Sequence, residues 1–213
     1  MPKELPGITY DKDGKNATID SPNSMYLLQF IKKEEYFSNL ESKHRFLSKC
    51  ESLVYGHKRY KRYKNFLMKE VGLNHCQVWG HLSSEDVTLE MHHGPIFTLY
   101  ELCEIITDHF LKTGEKITTF RVADRVLREH EKHHIMVVML AVTIHQEVHD
   151  REIFINMKQA WAWWNFGKFL KTYRLNKELK EKYDRYYDKS MMMDSTTYEL
   201  LKLNDKLFEK EGQ

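Results

Sequence analysis

This 213-residue chain is short of several features that would narrow its class at once. It has only three cysteines, Cys50, Cys76 and Cys103, scattered and odd in number, with no CxxC pair. That pattern argues against a disulfide framework or a zinc ribbon and fits a reducing, cytoplasmic compartment. No apolar run is long enough to span a bilayer, so no membrane role is expected. The stretch Met1 to Asp20 is polar, carries Gly and Asp, and does not resemble a signal peptide. An excess of one charge is missing too: 33 Lys and Arg stand against 31 Asp and Glu, a formal net charge of +2. Any nucleic-acid surface must therefore come from local clustering.

What the chain does have is enough apolar residues for a core, 41% of the sequence, and twelve histidines. The length suits one domain with extensions or two small ones. Residues 1–20 read as an irregular arm, because Pro2, Pro6, Gly7 and Gly14 break any period. From about Ser24 to Leu73 the pattern is mainly helical, with Gly56 and Gly72 as breaks. This region contains the basic run Lys58, Arg59, Lys61, Arg62 and Lys64, interleaved with Tyr60 and Tyr63. On a helix, Tyr60, Tyr63 and Phe66 fall near one side. Two readings stand side by side: a helix that grips phosphates, or a solvated face anchored by its aromatics.

Val78-Trp79-Gly80 and Val87-Thr88-Leu89-Glu90-Met91 flank the polar turn Ser83 to Asp86, which predicts a hairpin. Gly94-Pro95 stops its second strand. Two helices follow. The first is announced by Thr98 and Glu101 as a capping box and ends at Gly114; the second starts near Thr118 or Thr119. Their apolar stripes read as core. Ile135 to Val142 is a solid apolar run, a buried strand or the start of a helix. Trp161, Trp163 and Trp164 precede a charged helical stretch from Lys168 to Lys189, and Thr196 to Lys210 reads as a last amphipathic helix. The aromatic cluster reads first as a packing anchor or partner-facing patch, and second as a surface that stacks bases.

The most informative pattern is histidine placement. His92 and His93 end a strand-like run, and His145 and His149 lie four apart, on one helix face. Two imidazoles from a helix and one from a strand make a three-ligand metal site with an open position, and leave one ring to move protons. That combination points to metal-assisted hydrolysis. His44, His57, His75, His81, His109 and His130 read as surface or satisfied interior groups.

The block Leu89 to Ile96 (LEMHHGPI) and the block Val137 to His149 resemble the two halves of the HNH, or ββα-metal, nuclease motif. The doubled histidine matches the version in colicin-type DNases. The flanking runs Val78-Trp79-Gly80 and Phe97 to Glu101 are similar to those of phage-encoded members. The resemblance covers about Cys76 to Phe154. It implies that His92, His145 and His149 hold one divalent metal, Zn, Ni or Mn rather than Mg, and that His93 is the general base. Glu90 and Glu101 would orient ligating rings. The pattern departs from the family in two ways: about fifty residues separate the halves, and no Asn lies between His93 and His145, so His133 or His134 would take the middle position.

The expected architecture is α+β and mostly helical: an arm over 1–20, a helical extension over 21–74, an HNH-like module with a two-helix insertion over 75–156, and a helical extension over 157–213. The expected function is a phage-encoded endonuclease or nickase acting on DNA, double-stranded by preference, in the host cytoplasm. A different class of function is a catalytically lapsed fold used as an adaptor, which would bind a host or phage protein through the aromatic C-terminal segment. A third is a DNA-binding regulator that keeps the metal as a structural staple.

Overall fold

The computed structural model describes residues 8–10, 16–19, 27–31, 34–149 and 153–192, with backbone alone for the three N-terminal strands, Glu34 and His149. In chain order the elements are β1 (Ile8–Tyr10), β2 (Asn16–Ile19), β3 (Leu27–Ile31), α1 (Glu34–Ser38), α2 (Leu40–Gly56), α3 (Lys58–Lys69), β4 (Leu89–His93) and α4 (Leu99–Thr113). Then come β5 (Ile117–Thr118), α5 (Thr119–Glu131), β6 (Val137–Ala141), α6 (Val142–His149), α7 (Phe166–Thr172) and α8 (Lys177–Met192), with short 3-10 turns at Met157–Gln159 and Trp163–Asn165. The class is α+β and mostly helical. None of the described helices is long and apolar enough to cross a membrane.

The chain forms two compact units. The first comprises Met1–His57 and Tyr100–Arg128; the second comprises Lys58–Leu99 and Glu129–Gln213. In the first unit, β1, β2, β3 and β5 form an antiparallel sheet in that order. The arm expected over 1–20 and the helix expected from Ser24 thus contain strands, because three short segments are specified by their pairing with one another, which local periodicity cannot see. Asn39 caps α2 by accepting the Ser42 N–H at 3.1 Å. Phe46, Leu47, Cys50 and Val54 bury one stripe of that helix. It ends at Gly56, the expected break. α4 begins one residue after Thr98 and ends before Gly114, whose φ of +69° suits a residue without a Cβ. Thr118 accepts the Arg121 N–H at 3.1 Å and so starts α5.

The second unit is organised around β4 and β6, which pair antiparallel from Leu89↔Ala141 to His93↔Val137. All five residues of β6 are buried, which explains its unbroken apolar sequence. The expected hairpin is not formed. Its turn exists, since Ser83 N–H and Oγ both bond the Asp86 carboxylate, but Val78 and Trp79 lie in bends and Trp79 is exposed. Gln77 takes the role a first strand would have had. Its N–H bonds the Met139 carbonyl at 2.8 Å, and its side-chain oxygen accepts the Met139 N–H at 2.7 Å. One residue, through its main-chain N–H and its side-chain oxygen, thus satisfies Met139 on the edge of β6, and β4 pairs with a strand far along the chain. On β6, Trp161 adds two main-chain bonds to Val137, at 2.9 and 3.3 Å. The helix expected over Thr196–Lys210 lies outside the described residues.

Candidate functional site

Alternation along β4 sends Glu90 and His92 to one face and Met91 and His93 to the other. On the first face α6, which continues directly from β6, brings His145 to both. The His145 Nδ1–H donates to Glu90 Oε2 at 2.5 Å, and the rings of His92 and His145 sit 4.8 Å apart at 76°. With Nδ1 engaged in this way, a metal would be held through Nε2 of His145. Gly94 lets His92 take this position: a Cβ there would lie 2.8 Å from His92 Nε2. Any side chain at Gly94 would displace the ring.

On the second face His93 is enclosed. Its ring stacks on Tyr60 at 5.7 Å, and its Nε2 lies 2.9 Å from Nε2 of His130. Both rings are buried, at 4% and 1% exposure. Burial, and then the neighbouring rings of His130, His92 and His145, push His93 well below the usual imidazole range, so it is neutral. Tyr63 packs edge-on to His130 at 5.5 Å.

The structure therefore brings together His92 and His145, and separately His93 and His130. His149 is the last residue of α6, four positions after His145, and its side chain lies outside the described residues. His133 and His134 do not contact His93 through any described bond. His133 has φ +55° and its Nδ1 lies 3.3 Å from the Tyr63 hydroxyl, while His134 Nδ1 bonds Glu129 Oε2 at 2.7 Å. Glu101 belongs to the first unit. Among the described residues, no three His, Cys, Asp or Glu side chains converge as a ligand set. The pair His92–His145, with Glu90 behind it, fits two imidazole donors and an orienting carboxylate, and needs His149 to complete a three-ligand site.

The basic helix divides into two kinds of cation. Arg59 makes a two-point bond to Glu131, at 2.7 and 2.5 Å, and Lys64 donates to the Leu89 carbonyl at 2.7 Å. Lys58, Lys61 and Arg62 are exposed. Its buried stripe is Tyr60, Tyr63 and Leu67, with Phe66 partly outside it.

One buried group, Glu129, escaped the sequence reading. His130, expected as a surface or satisfied interior group, is the second of these, and its partner is His93. Glu129 is a buried hub that accepts from Lys132 at 3.1 Å, His134 at 2.7 Å and the Tyr173 hydroxyl at 3.1 Å. Burial raises the Glu129 carboxyl, but these bonds outweigh it and hold it below the ordinary value. The signal for His130 was present: it lies seven residues after Ala123 and four after Val126, on the apolar stripe of α5.

A family profile described as Bacteriophage G278-like virion protein matches residues 8–212. That description names a place in the phage particle and no activity. No curated protein and no solved structure matches the chain.

Proposed function

The chain belongs to the bacteriophage G278-like virion protein family, and from that premise we propose that it is a virion-associated, metal-dependent hydrolase of phosphodiester bonds, an HNH-type endonuclease or nickase acting on DNA. The observation that supports this reading is the meeting of Glu90, His92 and His145 across β4 and α6, although Glu90 and His145 are 55 residues apart in the sequence. His92, His145 and His149 would hold one divalent cation, for which imidazole donors favour zinc, nickel or manganese. Such an ion supplies Lewis-acid stabilisation of a phosphate oxygen. The chain's own residues do the rest. Glu90 fixes the tautomer and tilt of His145, and Gly94 leaves room for the His92 ring. His93 would be the general base that takes the proton of the attacking water, a role that requires its enclosure by Tyr60 and His130 to open toward the site, with His130 beside it to share the charge.

Plasmid nicking with manganese or nickel tests this. The wild-type chain is expected to nick. His92→Ala and His145→Ala should lose metal and activity together, and His93→Ala should lose activity while keeping metal and fold. A wild-type protein that cleaves neither duplex nor single strands under any divalent ion would overturn the reading. The enclosure of His93, only 4% exposed, favours a second reading. In it the fold is a catalytically lapsed adaptor of the particle that binds a host or phage protein, and His93→Ala alters stability alone.

A further inference from the structure

We propose that the second unit carries a platform for single-stranded nucleic acid, on which bases stack against Trp164 and Phe66 while the phosphate chain follows Lys61 and Arg62. This surface goes beyond the hydrolytic reading and stands without it, because it shares no residue with the histidine site on β4 and α6.

The argument starts from α3. Tyr60, Tyr63 and Leu67 are buried, so the opposite side of the helix faces water. Lys61 and Arg62 lie on that side, exposed, and among the described residues neither has an ion pair. Phe66 follows Arg62 by four residues, so the two are neighbours on the helix surface. Phe66 is 39% exposed, and its ring stacks on His133 at 5.7 Å and 21°. His133 meets Trp161 edge-on at 5.8 Å, and Trp161 meets Trp164 edge-on at 4.8 Å. The rings thus run without interruption from the basic helix to Trp164, which is 57% exposed.

The ledge is fixed in place. His133 sits in the left-handed region, and the Asn165 side chain donates to the carbonyls of Lys132 and His133 at 3.2 and 3.0 Å. Trp161 is bonded to β6 through Val137. Ala162, with φ +68°, turns the chain into the 3-10 turn that carries Trp164. Rigid, exposed rings next to exposed cations suit unstacked bases on a phosphate chain. A duplex keeps its base faces occupied by one another and would use only the cations. An apolar protein partner would leave Lys61 and Arg62 unanswered, whereas a polyanion complements them.

The test uses the full chain in EDTA, so that cleavage plays no part, with labelled oligo(dT) and a duplex of equal length as probes. Oligo(dT) should bind about tenfold more tightly than the duplex and quench tryptophan emission. Trp164→Ala should weaken oligo(dT) about tenfold, and Trp164→Phe should restore most of the loss. The double variant Lys61→Gln, Arg62→Gln should reduce the slope of log K against log salt by about 1.4. Equal or tighter duplex binding, or unchanged affinity in Trp164→Ala, overturns the platform. So does the absence of tryptophan quenching in the unaltered protein, a readout that needs no substitution.

Discussion

On one side of β4, Glu90 and His92 look toward α6, where the His145 side chain keeps 20% of its surface in solvent. On the other side, Met91 and His93 lie beneath α3 and the last turn of α5, where Tyr60, Tyr63 and His130 close around one imidazole. Two adjacent residues of one type thus meet opposite demands. The first face orients the His145 ring with a carboxylate and leaves that ring partly in water, while His92 beside it is buried, at 7% exposure. The second strips its ring of water, holds it neutral and sets it beside His130. Both rings of the doublet are buried, and they differ in what they meet: His145 for His92, Tyr60 and His130 for His93.

Glu129, which anchors the turn of α5 that carries His130, offers the largest handle on this contrast. Glu129→Ala leaves Lys132, His134 and the Tyr173 hydroxyl without their shared acceptor, and should cost about 3 kcal/mol in urea unfolding. On the sealed face, His130→Ala should cost about 2 kcal/mol through cavity formation and loss of the His93 contact. On the open face, His145→Ala in EDTA should cost under about 1 kcal/mol, because the side chain is partly solvated. If the two histidine variants cost the same, the distinction between the faces fails. Gly94→Ala should push the His92 ring aside, with a cost of about 1 kcal/mol and a larger relative loss of metal affinity, read by competition with a chromogenic chelator.

The smallest effect is in acid. Because Glu129 is held below its ordinary value of 4.5, it adds stability that is fully present above that pH and is lost as pH falls through its depressed folded value. Glu129→Gln should flatten the stability profile below about pH 4.5, with little change in slope between pH 5 and 7. A variant profile parallel to that of the wild type would show that the hub does not titrate as described.

Much of this arrangement was readable in the residues, for physical reasons that also mark where reading stopped. The burial of β6 was visible in its unbroken apolar run, which left strand and helix start both open, and the pairing with β4 makes it a strand. The ends of α2 and α4 were visible because Gly56 and Gly114 stand where those helices stop. The convergence of His92 and His145 was suggested by order and spacing, and β4–β6 pairing supplies it. The strand partner was misread because Gln77 satisfies the β6 edge with a side chain, which no periodicity reports. Strands β1 to β3 were missed because short strands are specified by their neighbours more than by their own pattern. Glu129 and the partner of His130 were missed because the groups that meet them, Tyr173 and His93, arrive from distant segments.

The central claim is that the open face of β4 is a divalent-cation site. Crystals of the full chain soaked in manganese or zinc, measured at the metal's absorption edge, address it most directly. The account predicts one anomalous peak per chain, about 2.1 Å from ring nitrogens of His92 and His145, with His149 completing the set. Crystals that take up no metal, or a peak remote from His92 and His145, would contradict it.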